Sequence, residues 1–161
     1  MQVMMRDCFE INEPFNYGSF GKVYRTNIDG KDYCYKEFKK QFPKDLIRNI
    51  ASFTDEEYSK EFLTPLYMVH NFGDTTFSGY LTNYYDGLIE IDDVYERAKK
   101  ILLLKKAKLS IMKFHKCYGK IHGDLNGSNI LFDENDLAYL LDFDSSLRIN
   151  QQVGSTKSFS M

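Results

Sequence analysis

Two short apolar runs, residues 129–132 and 137–141, flank Asp133-Glu134-Asn135-Asp136, four residues that favour a turn. A strand, a tight turn and a returning strand satisfy that pattern, and the hairpin returns Asp142 to the neighbourhood of Asn129. A third short strand, residues 120–122, leads into His122-Gly123-Asp124 just upstream.

The first third reads as strands as well. Residues 9–15, 22–28 and 32–38 are rich in Phe, Ile, Val and Tyr, and are separated by Gly18, Gly21 and Asp29-Gly30. Asp-Gly between two such runs is a strong hairpin signal. From Pro43 the pattern turns helical, with Leu46, Ile47 and Ile50 on one face. Thr54-Asp55-Glu56-Glu57 then reads as a capping box that opens a second helical turn, ended by Pro65. Residues 66–72 and 76–85 return to strand character around Gly73-Asp74. Val94, Ala98, Ile101, Leu102, Lys105, Leu109 and Met112 recur mostly at three and four residues, which predicts one amphipathic helix from Asp92 to Cys117, capped by Gly119. Its lysines, at 99, 100, 105, 106 and 108, are read as the solvated outer face.

Composition narrows the function classes. With 161 residues the chain fits one domain, or two small lobes sharing a cleft. A formal net charge of −2 gives no global attraction for nucleic acid or for acidic lipid. Cys8, Cys34 and Cys117 are odd in number and unrelated in spacing, which fits reduced thiols rather than a disulfide framework or a zinc site. Met1 to Glu10 has no signal-peptide apolar run, and the longest aliphatic run, Ile101 to Leu104, is far short of a membrane span. The expected location is cytoplasmic, or secretion by a route without a classical signal.

The segment His122-Gly123-Asp124-Leu125-Asn126-Gly127-Ser128-Asn129-Ile130-Leu131 resembles the catalytic loop of the protein-kinase superfamily, H-x-D-x-x-x-x-N followed by an apolar pair. Leu140-Leu141-Asp142-Phe143-Asp144 resembles the D-F-G element, and Asn16-Tyr17-Gly18-Ser19-Phe20-Gly21-Lys22-Val23 the glycine-rich loop. Lys36, after Tyr33-Cys34-Tyr35, sits where the V-A-I-K lysine belongs, and Thr82-Asn83-Tyr84-Tyr85-Asp86-Gly87 resembles the hinge between lobes.

The resemblance implies an α+β, two-lobed, protein-kinase-like fold with a reduced C-terminal lobe. Residues 1–85 would form the N-lobe, and residues 86–161 a truncated lobe with the long helix, catalytic loop and Asp-Phe-Asp motif. It implies ATP and Mg²⁺ as cofactors and transfer of the γ-phosphate to a hydroxyl, with a protein acceptor preferred to a small molecule. Asp124 would be the catalytic base, and Asn129 and Asp142 the metal ligands. Gly18, Gly21 and Lys36 would meet the phosphates. Val23 and Leu131 would sandwich the adenine, and the backbone of Asn83 and Tyr85 would bind its edge. His122 would pack beneath the loop.

Several positions depart from the pattern. Asn16 replaces the first glycine, Gly123 the arginine common before the catalytic Asp, Asn126 a frequent lysine, and Asp144 the last glycine of D-F-G. His-Gly-Asp also resembles small-molecule kinases such as the aminoglycoside phosphotransferases. No glutamate lies between Phe38 and Asp55, so Glu56, Glu57, Glu61 or none of them would pair with Lys36. Only residues 145–161 follow Asp144, where a full kinase continues for roughly a hundred residues. A silent pseudokinase acting as a binding module, and a fragment of a longer kinase, are the alternative expectations. The truncation also leaves an apolar stripe of the long helix (Ile101, Leu102, Leu104, Ile111, Met112) to be covered by a homodimer, by a partner protein, or by the tail through Leu147, Ile149, Val153 and Phe159.

Overall fold

The computed structural model describes residues 2–17, 21–39, 43–71, 73 and 76–148. It is a mixed α+β fold with two α-helices and three sheets among those residues. The largest sheet has six strands: β1 (Val3–Met5), β2 (Asn16–Tyr17), β3 (Gly21–Ile28), β4 (Lys31–Phe38), β5 (Tyr67–His70) and β6 (Phe77–Asn83), in the order β1-β5-β6-β4-β3-β2. Only the β1–β5 pair is parallel. Between β3 and β4, Asp29 and Gly30 both take positive φ, 50° and 79°, as the tight hairpin turn requires.

Side chains alternate across this sheet. Tyr24, Tyr35, Val69 and Leu81 face one side, where Phe9 from the N-terminal segment seals them. Met68 and Tyr80 face the other, under Ile50 of helix α1 (Lys44–Phe53). Lys36 lies on this second face, directly opposite Val23 on one neighbour and Tyr80 on the other.

Beyond the sheet, β7 (Ile89–Glu90) leads to helix α2 (Arg97–Tyr118), which ends in a left-handed cap at Gly119 whose N–H reaches the His115 carbonyl. Strand β8 (Lys120–Ile121), the hairpin β9 (Ile130–Phe132) and β10 (Ala138–Leu140), and β11 (Leu147–Arg148) complete the described residues. The Asp133–Asp136 turn closes the β9–β10 hairpin, with Asp136 at φ 62°. Leu103 and Ala107 of α2 pack on Phe132 and Ala138. An aromatic cluster of Phe53, Phe62, Phe114 and Phe143 with Leu140 joins the end of α1 to α2 and β10.

Four sequence expectations are corrected. Residues 9–15 form no strand, because Phe9 turns into the core and Thr26 donates to the Glu10 carbonyl at 2.6 Å, while β1 takes a sheet edge instead. Thr54 opens no second helix: its hydroxyl donates back to the Ala51 carbonyl at 2.8 Å and caps the C-terminus of α1. Helix α2 starts at Arg97, since residues 91–93 form a separate 3₁₀ turn with a reciprocal Glu90–Asp93 cap. The buried face of α2 is Leu103, Ala107 and Phe114, whereas Ile101, Leu102, Leu104, Leu109 and Met112 are exposed among the described residues. Of the helix lysines, Lys99 pairs with Asp136, and Lys106 donates to the Asn135 carbonyl at 3.2 Å. No helix among the described residues is long and apolar enough to cross a membrane.

Candidate active site

Lys36 stands at the centre of the site. It lies in the middle of β4, nearly buried, where a charged group needs a partner. Its Nζ donates to Asp142 Oδ1 at 2.6 Å and to Asp144 Oδ2 at 2.7 Å. Burial works against the ammonium, but the carboxylates of Asp144 and Asp142 outweigh it and hold the Lys36 pKa above its ordinary value. Burial raises the Asp144 carboxyl too, opposed by Lys36 and by the Tyr80 hydroxyl, which donates to Oδ1 at 2.5 Å. With two donors on its two oxygens, Asp144 is the carboxylate half of an ion pair at neutral pH. Tyr80 stays protonated, because burial and the Asp144 charge push its pKa well up.

None of the expected helix glutamates reaches Lys36. Glu56 accepts from Lys120 at 3.2 Å and from Arg148 at 3.4 Å, Glu61 pairs with Lys113, and Glu57 is exposed. Asp45, the acid in the first turn of α1, is almost fully exposed beside Arg48. The partners of Lys36 come instead from the segment after β10. Asp142 takes a left-handed conformation (φ 58°) there, a region tolerated by few residues other than Gly, Asn and Asp. A 3₁₀ turn, Phe143–Ser145, follows. Phe143 anchors this turn in the aromatic cluster, 4.9 Å from the Phe114 ring and 4.7 Å from the His122 ring.

The loop between β8 and β9 presents the second acid. Asp124 is exposed, and its carboxylate accepts from Asn126 Nδ2 at 3.4 Å and Asn129 Nδ2 at 3.3 Å. Asn126 Oδ1 caps the 3₁₀ turn Gly127–Asn129 by accepting from the backbone N–H groups of Ser128 and Asn129. Asn126 therefore shapes the loop, a role its sequence position gave no reason to assign. Asn129 Nδ2 also donates to the Asp124 carbonyl at 2.9 Å, which orients the amide and leaves its oxygen available to a cation.

The backbone joins Asn129 to the residue before Asp142: the Leu141 N–H donates to the Asn129 carbonyl at 3.0 Å. His122 packs beneath the loop, as its setting predicts. Its Nδ1 accepts from the Asp124 N–H at 3.4 Å, so Nε2–H donates to the Leu141 carbonyl at 2.6 Å. Burial lowers its pKa, which keeps the ring neutral. The Ser146 hydroxyl donates to the His122 carbonyl at 3.0 Å and ties the two acidic segments again.

The remaining candidates are distributed more widely. Val23 and Cys34 share the sheet face of Lys36, and burial pushes the Cys34 thiol up to about 11, so it is a neutral thiol beside Thr82. Leu131 pairs with Tyr139 across the β9–β10 hairpin, and the Tyr85 ring lies 5.2 Å from the Tyr139 ring. Asn83 alternates to the opposite sheet face from Lys36, so only its backbone would serve a ligand in the cleft. Its buried Oδ1 has no hydrogen-bond partner among the described residues. Gly18 lies outside the described residues, as do Asp74, Ile149, Val153 and Phe159. Gly21 is needed whatever it binds, because a Cβ there would stand 1.8 Å from the Glu37 carbonyl oxygen.

These oxygen donors would suit a hard cation. Asn129 Oδ1 and the carboxylate of Asp142 could each offer an oxygen to one, and the described residues include no cluster of three His, Cys, Asp or Glu side chains of the kind that cages a metal by itself. Mg²⁺ bound mainly by water and phosphate oxygens, with one or two protein oxygens, fits that donor set. A comparison with the models of known families and with curated proteins finds no match, so the reading of the site rests on its own chemistry.

Proposed function

We propose that this chain is a Mg²⁺- and ATP-dependent phosphotransferase that moves the γ-phosphate to a hydroxyl, within a two-lobed, kinase-like arrangement. The observation that carries the reading is the meeting of Lys36, Asp142 and the Asp124–Asn129 loop. Three separate chain segments there supply a phosphate-gripping ammonium, cation ligands and a proton acceptor in one place.

In this reading the nucleotide lies against the sheet face that carries Val23, Cys34 and Lys36, with Leu131 below it. Lys36 would hold the phosphate oxygens, and the Asp142 carboxylate with Asn129 Oδ1 would hold the cation. Bound Mg²⁺ supplies neutralisation of the phosphate charge. Asp124, exposed and held by Asn126 and Asn129, orients the acceptor hydroxyl and takes its proton as oxygen bonds to phosphorus and ADP departs. The exposed position of Asp124 favours an acceptor that arrives from solvent.

A second reading, a binding module without catalysis, draws on the exposed Ile101, Leu102, Leu104, Leu109 and Met112 of α2. The two readings differ in turnover, not in nucleotide binding. Thermal unfolding with millimolar Mg-ATP tests the part they share, since a ligand that binds only the folded state raises the midpoint. Lys36→Ala and Asp142→Ala should each shrink the rise, and no rise for the parent chain would remove the nucleotide from both.

A further inference from the structure

We infer that Asp144 is the residue that positions Lys36 for the nucleotide, doing the work of a helix carboxylate, and that Tyr80 and Asn49 hold Asp144 in turn. The inference rests on the phosphotransferase reading and deepens it.

Lys36 has two partners, and only one of them can be lasting. Asp142 has a third of its side chain exposed and is the acid that a cation would recruit, so its contact with Lys36 ends when nucleotide and metal arrive. Asp144 is 1% exposed, and both its oxygens are already engaged, Oδ2 by Lys36 and Oδ1 by Tyr80. Its backbone carbonyl accepts from Asn49 Nδ2 of α1 at 3.1 Å, which fixes the turn that carries it. A side chain held by Tyr80, on a turn held by Asn49, keeps Lys36 in place at little further entropic cost when Asp142 turns away.

The helix offers no substitute. Asp45 of α1 is exposed beside Arg48, and α1 approaches the site through the amide of Asn49. Glu56 and Glu61 are committed to Lys120, Arg148 and Lys113. The lysine anchor is thus carried four residues beyond the hairpin, in the same short segment as Asp142. A glycine at position 144 would leave Lys36 with Asp142 alone.

The test is a double-mutant cycle on the full chain, with Mg-ATP affinity read by calorimetry. Asp144→Asn keeps the size and the Tyr80 contact but removes the charge, and should weaken Mg-ATP at least tenfold, the scale of one charge-assisted hydrogen bond. On a Lys36→Met background the same substitution should change the affinity less than twofold, because Asp144 acts through Lys36. Asp144→Glu should recover part of the loss, and Glu57→Gln should leave affinity unchanged. Should Asp144→Asn fail to fold, Tyr80→Phe takes its place, with a few-fold loss expected on the parent and none on Lys36→Met.

Equal affinity for parent and Asp144→Asn would overturn the inference and leave the phosphotransferase reading intact. An equal loss on both backgrounds would make Asp144 merely structural and overturn it as well. A tenfold loss in Glu57→Gln would transfer the anchor to that residue. Absence of Mg-ATP binding by the parent chain would instead remove the reading on which the inference stands.

Discussion

Replacing Gly123 by alanine probes the contact that joins the loop of residues 122–129 to the segment after Asp142. Gly123 has φ +85°, and a Cβ built there would lie 2.1 Å from the Ser145 carbonyl oxygen and 2.8 Å from its carbon. Two penalties follow. A left-handed backbone costs an L-residue about 1–2 kcal/mol. Relief of the clash must move backbone held by the His122–Leu141 and Ser146–His122 hydrogen bonds, an overpacking cost of about 1–3 kcal/mol. Together Gly123→Ala should destabilise by about 2–5 kcal/mol, which at this chain length lowers Tm by about 4–20 °C. Gly87→Ala is the matched control. Gly87 has φ +74° with nothing within 4 Å of its Cβ position, so it carries only the first penalty. Thermal unfolding followed by circular dichroism gives both values. If Gly123→Ala costs no more than Gly87→Ala, then the backbone at Gly123 does not pack on Ser145 as closely as the structure has it.

Two further expectations concern the fold around the site. Leu103→Ala should cost about 2–5 kcal/mol in urea unfolding, and its neighbour Leu104→Ala less than about 0.5 kcal/mol, because only Leu103 is buried. Comparable losses would reverse the assignment of the α2 face. The pKa of His122 is depressed in the folded chain, so the unfolded chain binds the extra proton as pH falls below about 6.5. Its contribution to stability is full above that pH and is lost toward and through the lower folded value, at up to about 1.4 kcal/mol per pH unit. His122→Asn should flatten that slope between pH 6.5 and 5, and an unchanged slope would mean that His122 is not buried neutral.

Local features were the most legible in the sequence. Asp29-Gly30 and Asp133–Asp136 close hairpins between adjacent strands, and Gly119 ends its helix, because each signal is contained within a few residues. The loop Asp124–Asn129, the return of Asp142 and the buried setting of His122 were legible for the same reason. Contacts between distant segments were not. The partner expected for Lys36 was Glu56, Glu57, Glu61 or none of them, yet the carboxylates that meet it are Asp142 and Asp144, the latter a departure from the motif with no sequence signal that it would reach the lysine. Three consecutive leucines, 102–104, put apolar groups on both sides of α2, so periodicity alone did not choose the buried face. Thr54 is by type an N-cap residue, and only the fold shows its hydroxyl turned back to the Ala51 carbonyl at the end of α1.

Transfer of phosphate is the most direct measure of the central claim. The full chain, incubated with γ-labelled Mg-ATP and a panel of protein and small-alcohol acceptors, should release or transfer label in a Mg²⁺-dependent reaction. Asp124→Asn should lower kcat by about 10²–10⁴-fold with little change in KM for ATP, as expected when a proton acceptor is lost but the nucleotide is still held. Turnover equal in the parent and in Asp124→Asn, or none from a parent chain that binds Mg-ATP, would contradict it.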